Sequence, residues 1–322
     1  MRSLSILLAL FLLAGVAPVA ANDGVASIGA GGIILEKTDD IRLRSEDLRI
    51  SVDRVEVAYE FENPTDRDIT LTLAFPFPDI FADDIDDQWP DEGAAEFVDF
   101  TTRFDGKPVQ ATKVVEIVGL DGSNLTQLFR RENLPLDPLA EIWRSAIYYS
   151  DAPRARRVKD KLMALGLLGN FESREWKVRL SYVWQATFPA RSRVSVDHAY
   201  RPITGAFLLA LEADNGDFAS WFRDSFCVGA PLMEDLAAAP PEARYGRHAR
   251  DLRYVLKPGA DWAGPIGDFR LIIESPSPDH TISLCWDGAL RQTGPTTREF
   301  RAQDFLPMQD IAVTFIPPLP AR

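Results

Sequence analysis

The chain has 322 residues, of which 46% are hydrophobic, and it carries 48 acidic against 35 basic side chains for a formal charge of −13. This composition is typical of a globular protein with a real core, and the length suggests about two domains. The excess of negative charge argues against nucleic acids and anionic lipid surfaces as partners, because both would repel it.

The first 21 residues have the pattern of a secretory signal peptide. Arg2 precedes an almost unbroken apolar run over residues 4–16, and the small residues Val19 and Ala21 occupy the positions that signal peptidase reads. The apolar run is short for a transmembrane helix, which needs about 20 residues. We therefore expect a mature chain that begins at Asn22, has no membrane span and is periplasmic or secreted.

Residues 22–122 alternate apolar and polar side chains as half-buried strands do. Segments 33–37 and 41–50 predict two strands, and SVDRVEVAYEFEN and DITLTLAFPFP predict two more that pair as a hairpin around a turn at residues 63–68. EFVDFTTRFDGKPVQATKVVEI predicts a further hairpin that turns at Asp105-Gly106. Together these strands predict an N-terminal β-sandwich over residues 22–122.

A helical insert is predicted over residues 123–172. Apolar residues recur at helical spacing in segment 139–147, and DAPRARRVKDKLMALG predicts a second helix that ends at Gly166. Strand patterns return in KVRLSYVWQATFPA, VSVDHAYRP, DFRLIIESP, HTISLCWDG and DIAVTFIPP, and they predict a C-terminal β-sandwich over residues 173–322. The expected fold is mainly β, with two antiparallel β-sandwich-like regions and a helical insert between them.

The sequence contains two cysteines, Cys227 and Cys285. An even number of cysteines in an exported protein predicts a disulfide, with two free thiols as the alternative. The cysteines have neither clustered histidines nor the CxxC spacing, so they predict neither a zinc site nor a redox motif.

Two family resemblances follow from the strand segments. AYEFENPTDRDITLTLAFPFPDI followed by FDGKPVQATKV resembles a vault/inter-alpha-trypsin-type β-sandwich over residues 50–115. TDDIRLRSEDLRIS, NPTDRDITLTLAFPFPDI, WQATFPARSRVSVDHAYRP and DFRLIIESPSP are similar to an exported bacterial family known only as a domain of unknown function. The second resemblance spans nearly the whole mature chain, and it implies secretion and a β-rich fold but no catalytic residues.

The stretch FADDIDDQWPDEG, residues 81–93, is the candidate metal site. Asp83, Asp84, Asp86 and Asp87 offer carboxylate oxygens on a turn-rich segment, which suits the six to eight oxygen ligands of calcium. The EF-hand pattern is absent, however, and a charge cluster of this kind is more often a solvated loop. The sequence therefore favours a solvated loop and keeps calcium as the candidate cofactor.

Histidines and tryptophans provide the remaining candidate residues. His198 is in phase with the apolar residues of strand segment 194–200, so we expect a hydrogen-bonded core residue, and its neighbour Asp197 points to the opposite face. Trp89 and Trp262 lie in loops rich in Gly, Pro and Asp, where an exposed ring would suggest ligand binding.

The sequence therefore predicts an exported, non-catalytic binding or interaction module of the bacterial periplasm or envelope, whose partner is an envelope protein or a glycan. A hydrolase that uses carboxylates on a cell-envelope glycan and a calcium-stabilised adhesive module are the alternatives. A His–carboxylate pair in a cleft would favour the hydrolase, whereas a binding patch without such a pair would favour the module. The sequence indicates no oligomeric state.

Overall fold

The computed structural model describes residues 23–29, 32–82, 98–137, 153–169, 173–209, 216–239 and 248–318. These residues form a mainly β protein, as the sequence predicts. The strands are β1 (Gly24–Gly29), β2 (Gly32–Glu36), β3 (Arg42–Ile50), β4 (Val55–Asn63), β5 (Ile69–Pro76), β6 (Ile80–Phe81), β7 (Thr101–Phe104), β8 (Lys107–Val109), β9 (Thr112–Gly119), β10 (Trp176–Phe188), β11 (Ser192–Tyr200), β12 (Thr204–Leu208), β13 (His248–Tyr254), β14 (Ile266–Glu274), β15 (Thr281–Cys285), β16 (Arg291–Gln292), β17 (Thr297–Phe305) and β18 (Ile311–Ile316). The helices are α1 (Thr126–Arg131), α2 (Pro153–Ala164), α3 (Gly216–Phe226) and α4 (Ala230–Ala238), with a 3-10 helix at Lys257–Asp261.

The described strands form three sheets. The six-stranded sheet has the order β2-β1-β5-β10-β6, with β9 also paired to β10, and the eight-stranded sheet has the order β16-β17-β14-β3-β4-β11-β7-β8. The four-stranded sheet has the order β12-β13-β18-β15. Neighbouring strands are antiparallel throughout these sheets except for the parallel pair β3 and β14. Both large sheets contain strands from either side of residue 173. The domain boundaries at residues 122 and 172 remain predictions.

The predicted hairpin between β4 and β5 is wrong. β4 pairs with β3 and β11 in the eight-stranded sheet, whereas β5 pairs with β1 and β10 in the six-stranded sheet. The turn between them is therefore a corner that crosses from one sheet to the other. The buried amide of Asn63 holds this corner by donating to the carbonyl oxygens of Arg67, at 2.8 Å, and Phe188, at 2.9 Å.

The predicted hairpin turn at Asp105-Gly106 is confirmed. β7 and β8 pair antiparallel on either side of it. Asp105 and Gly106 both have positive φ, 47° and 71°, which a tight two-residue turn requires and which glycine adopts without steric cost. After β8 the chain leaves the eight-stranded sheet, because β9 pairs with β10 instead.

The apolar interior of the described residues has one large and several small parts. The large core draws side chains from all three sheets and includes Phe61, Phe188 and Trp262. A smaller core of Leu209, Phe222, Phe226, Val228, Leu236, Ala249 and Ile316 lies where α3 and α4 meet the four-stranded sheet. This smaller core contains the segment that the disulfide secures.

The predicted disulfide is confirmed. It joins Cys227, which follows α3, to Cys285 at the end of β15, 58 positions farther along the chain. The hydroxyl of Ser283 adds a hydrogen bond of 2.8 Å to the carbonyl oxygen of Phe226. Covalent and polar links therefore tie the end of α3 to an outer strand of the four-stranded sheet. Among the helices of the described segments, none has the length and apolar content to cross a membrane.

Candidate functional site

A groove of about 820 Å³ lies on the outer face of the eight-stranded sheet. Strands β3, β4, β7 and β11 build it because their side chains alternate between the core and the outside. Ala58 and Ala199 are the small residues on its floor. The charged side chains along its walls are Asp47, Arg49, Arg54, Glu56, Arg103 and Asp197.

The register of the strands sets the order of charges across the groove. Ala58 lies between Asp47 of β3 and Asp197 of β11, and Asp197 faces Arg103 of β7 on its other side. Because neighbouring strands are about 4.8 Å apart, the two aspartates stand about 10 Å apart across the alanine. The groove therefore has two carboxylates facing each other over an uncharged floor, with an arginine beside one of them.

Four of the six charged groups in the groove are held by other side chains, including Arg49, which donates a hydrogen bond of 2.6 Å to Glu274. Asp47 accepts a hydrogen bond of 2.9 Å from Arg270, and Arg54 donates one of 2.9 Å to Glu56. In contrast, Arg103 and Asp197 make no ion pair or side-chain hydrogen bond within the described part of the chain. These two side chains of opposite charge are therefore available to a ligand.

A buried Asp–His pair lies beneath the groove floor. The Nε2 atom of His198 is 2.9 Å from Oδ2 of Asp23, and both side chains are 0% exposed. The Nε1–H of Trp262 donates to the carbonyl oxygen of Asp23 at 2.8 Å. Asp23 immediately precedes β1, so the beginning of the described chain is fixed inside the protein by its side chain and its backbone.

Aromatic rings enclose the imidazole of His198. Phe100 stacks on it with a centroid distance of 5.2 Å, and three further rings lie within 6 Å: those of Phe75, Trp184 and Tyr59. Oδ1 of Asp23 and Nδ1 of His198 have no hydrogen-bond partner in the described residues. Burial raises the pKa of Asp23, and the nearby His198 offsets part of that increase.

Two tyrosines extend this buried polar region into the four-stranded sheet. The hydroxyl groups of Tyr59, in β4, and Tyr254, in β13, are 3.1 Å apart. Burial raises the pKa of both tyrosines well above the usual value, and the nearby carboxylate of Glu46 acts in the same direction. Burial also raises the pKa of Tyr200. Burial therefore favours the neutral forms of these three tyrosines.

The candidate residues predicted from the sequence have different outcomes in the structure. His198 is a hydrogen-bonded core residue and Asp197 lies on the opposite face, as predicted. Trp262 is not the exposed ring that its loop composition suggested: it is 3% exposed, and its ring packs 4.6 Å from that of Phe61. Trp89 and the acidic residues Asp83, Asp84, Asp86 and Asp87 lie outside the described residues, so the cation site stays a prediction.

Sequence reasoning missed the partner of His198. The residues next to His198 supply no carboxylate on its own face, and Asp23 is 175 positions away in the chain. The available signal was weak: an acidic residue between the predicted cleavage site and an apolar strand. It indicated neither burial nor a partner. The groove was missed for the same reason, since its walls come from four strands that are dispersed in the sequence.

A sequence profile for the family described as Domain of unknown function (DUF4424) matches residues 21–314. The chain belongs to this family. The match covers most of the sequence, including Asp23, His198 and every residue named in the groove. A search of curated proteins gives no match.

Two solved structures share a distant likeness with this chain. A Legionella pneumophila protein, whose name assigns it a proposed role in nutrient binding, shares 16% identity over 92% of this chain and 70% of its own, with a TM-score of 0.45. An M1 zinc metallopeptidase from Deinococcus radiodurans shares 5% identity over 87% of this chain and 43% of its own, with a TM-score of 0.29. At these scores neither likeness indicates a function.

Proposed function

We propose that this protein is an extracytoplasmic, non-catalytic binding module that takes a small polar ligand with both an acidic and a basic group. The carrying observation is the groove on the eight-stranded sheet, where Asp197 and Arg103 face each other without ion-pair partners in the described residues. A ligand ammonium group suits Asp197 and a ligand carboxylate suits Arg103, whose guanidinium offers two parallel donors.

Size and charge support this ligand class. The groove volume of about 820 Å³ lies in the range of about 300–1,000 Å³ that small-molecule sites occupy. Its charged wall residues comprise three acidic and three basic side chains, although the whole chain has a formal charge of −13. The balanced wall attracts a ligand that carries both charges, whereas the rest of the surface repels anions.

The disulfide and the leader pattern support an extracytoplasmic location, with the periplasm as the proposed compartment. A disulfide between distant residues persists in oxidising compartments and is rare in the cytosol. The first 21 residues have the composition of a cleaved leader. An envelope ligand or partner is therefore the natural choice for the groove.

The buried Asp23–His198 pair does not make this groove an active site. A general base must reach the proton that it abstracts, within about 3 Å or through one water molecule. Both side chains are 0% exposed and are covered by aromatic rings. The pair therefore supports the groove floor and does not act on a ligand above it.

Thermal unfolding with millimolar glycine, lysine, glutamate and glycylglycine as probes tests the proposal. A ligand that binds only the folded protein raises the unfolding midpoint by mass action. We expect Asp197→Asn and Arg103→Gln each to weaken binding of the active probe by about 1–2 kcal/mol, or roughly five- to thirtyfold.

Matched controls remove the same charges elsewhere. Asp66→Asn and Arg130→Gln change exposed side chains outside the groove, so both should keep wild-type binding. The proposal fails if no probe shifts the midpoint, or if the groove variants bind as the control variants do.

A further inference from the structure

The first strand has a small attachment to the sandwich. β1 pairs with β5 only through Gly24 and Val25, whereas its five other pairings are with β2. Next to this short ladder, the side chain of Asp23 contacts His198 and its carbonyl oxygen accepts the hydrogen bond from Trp262. The position of β1 in the sandwich therefore depends on Asp23 as well as on the packing of Val25 and Ala26.

The other partner of this contact lies directly under the groove. Asp197 and Ala199, which flank His198 in β11, both line the groove. The residue opposite His198 in β7 is the buried Thr102, and its neighbours Thr101 and Arg103 also line the groove. A displacement of His198 would therefore move groove residues on two strands, including both unpaired charges.

The pair is neutral when it holds one acidic proton, either as carboxylic acid and imidazole or as carboxylate and imidazolium. When that proton passes to solvent, one negative charge remains in the interior. The titratable groups that face the pair in the described residues are Glu46 of β3, Tyr59 of β4, Tyr200 of β11 and Tyr254 of β13. All four are neutral or negative, so none compensates the charge that deprotonation leaves.

We propose that the Asp23–His198 pair is a proton-linked latch between the first strand and the groove. While the pair holds its proton, β1 stays seated and β7 and β11 keep the groove floor in place. When the pair loses that proton, Asp23 leaves the interior for water and β1 detaches. Alkaline conditions therefore loosen the groove from below, independently of which ligand it binds.

Hydrogen exchange measured by mass spectrometry tests the latch. The full oxidised chain, after leader removal, is compared from mildly acidic to mildly alkaline pH, with rates corrected for the intrinsic pH dependence of exchange. Opening of residues 23–28, 101–104 and 194–200 should increase by up to about tenfold per pH unit, because opening releases one proton. In Asp23→Asn, the amide still hydrogen-bonds His198 and the release of the carboxyl proton disappears, so the corrected rates should no longer follow this slope.

A matched control makes the same carboxylate-to-amide substitution at a site outside the latch. Asp79→Asn removes the ion pairs of Asp79 with Lys177, at 2.9 Å, and Arg179, at 3.1 Å, on the six-stranded sheet. This variant should keep the wild-type pH response.

Two results would overturn the latch. One is an equal pH response in wild-type protein and Asp23→Asn. The other is a wild-type response that is flat, or that is no larger in residues 23–28 than in α3 and α4. If Asp23→Asn does not fold, the wild-type comparison of residues 23–28 with α3 and α4 decides.

Discussion

The large core and the helix-covered side of the four-stranded sheet are stabilised in different ways. The large core combines extensive apolar burial with the fully buried Asp23–His198 pair and a buried tyrosine pair. The smaller core beneath α3 and α4 has seven buried hydrophobic residues, no buried ion pair among its described members and a disulfide at its edge. One region can tolerate costly buried polar groups, whereas the other needs a covalent link.

The difference reflects how much apolar surface each region removes from water. Burial contributes roughly 25 cal/mol per Å² of apolar area, so a large core can offset the desolvation of a charge pair. A small core leaves little excess stability over the conformational entropy of its helices. A disulfide limits the unfolded chain instead and so stabilises the small core without further burial.

The largest expected effect comes from breaking the buried pair in the large core. Asp23→Ala leaves His198 buried without its partner, and we expect the free energy of unfolding to fall by about 3–5 kcal/mol. Urea unfolding followed by circular dichroism measures this change. The exposed control Asp66→Ala should change the free energy of unfolding by less than about 0.5 kcal/mol.

The double variant Asp23→Ala with His198→Phe sharpens the interpretation. Because it removes both buried polar partners and fills the space of the imidazole with an apolar ring, it should be more stable than Asp23→Ala alone. If the double variant is less stable than the single one, the contribution of His198 comes from its packing and the coupling to Asp23 is minor.

A smaller and more local effect is expected from removing the disulfide. Cys227→Ser with Cys285→Ser should lower stability by about 2–4 kcal/mol, because the unfolded chain gains conformational freedom. Hydrogen exchange should show the loss first in α3, α4 and β15, with β4 and β11 still protected. Equal loss of protection in both regions would mean that the smaller core is not a separate unit of stability.

The smallest expected effect on stability per residue comes from ionisation of the buried tyrosines that connect the two regions. Tyr59, Tyr200 and Tyr254 have raised pKa values because burial disfavours phenolate. Their contribution is fully present below the unfolded pKa of about 10 and is lost as pH rises above it, by about 1.4 kcal/mol per pH unit for each tyrosine.

Phenolate absorbance during an alkaline titration checks this expectation. At least three of the seven tyrosines should ionise only when the protein unfolds. Above the unfolded tyrosine pKa, the free energy of unfolding should fall less steeply with pH in Tyr200→Phe than in wild type. The difference should equal the contribution of one tyrosine. Normal ionisation of all seven tyrosines in protein that keeps its circular dichroism would refute the buried assignment.

The positions of several strands were predictable because the signal is local, whereas β1, β12, β13 and β17 were not predicted. Segments 33–37 and 41–50 match β2 and β3 to within one residue at each end, since alternation of apolar and polar side chains is a property of neighbours in the chain. The second predicted helix, residues 151–166, likewise contains α2. The pairing of β4 with β5 was not predictable in this way, because corner and hairpin turns use the same residue types.

The candidate site was less predictable than the fold. The alternation in β11 correctly placed His198 inside and Asp197 outside. The burial of Trp262 was missed because loop composition does not reveal that Asp23 and Phe61 pack against the indole. The order of charges across the groove was missed as well, since it depends on the registers of four strands from separate parts of the chain.

By itself, the sequence determined that the described protein is mainly β, the face on which each side chain of β4 and β11 lies, and the pairing of its two cysteines. The first two features depend on local periodicity, and the disulfide has one possible pairing because the chain contains two cysteines. Only the tertiary structure decided which strands are neighbours, and thereby placed Asp23 against His198 and Asp197 beside Arg103. Such pairings join residues far apart in the chain, and they follow from how the whole set of strands buries its apolar faces together.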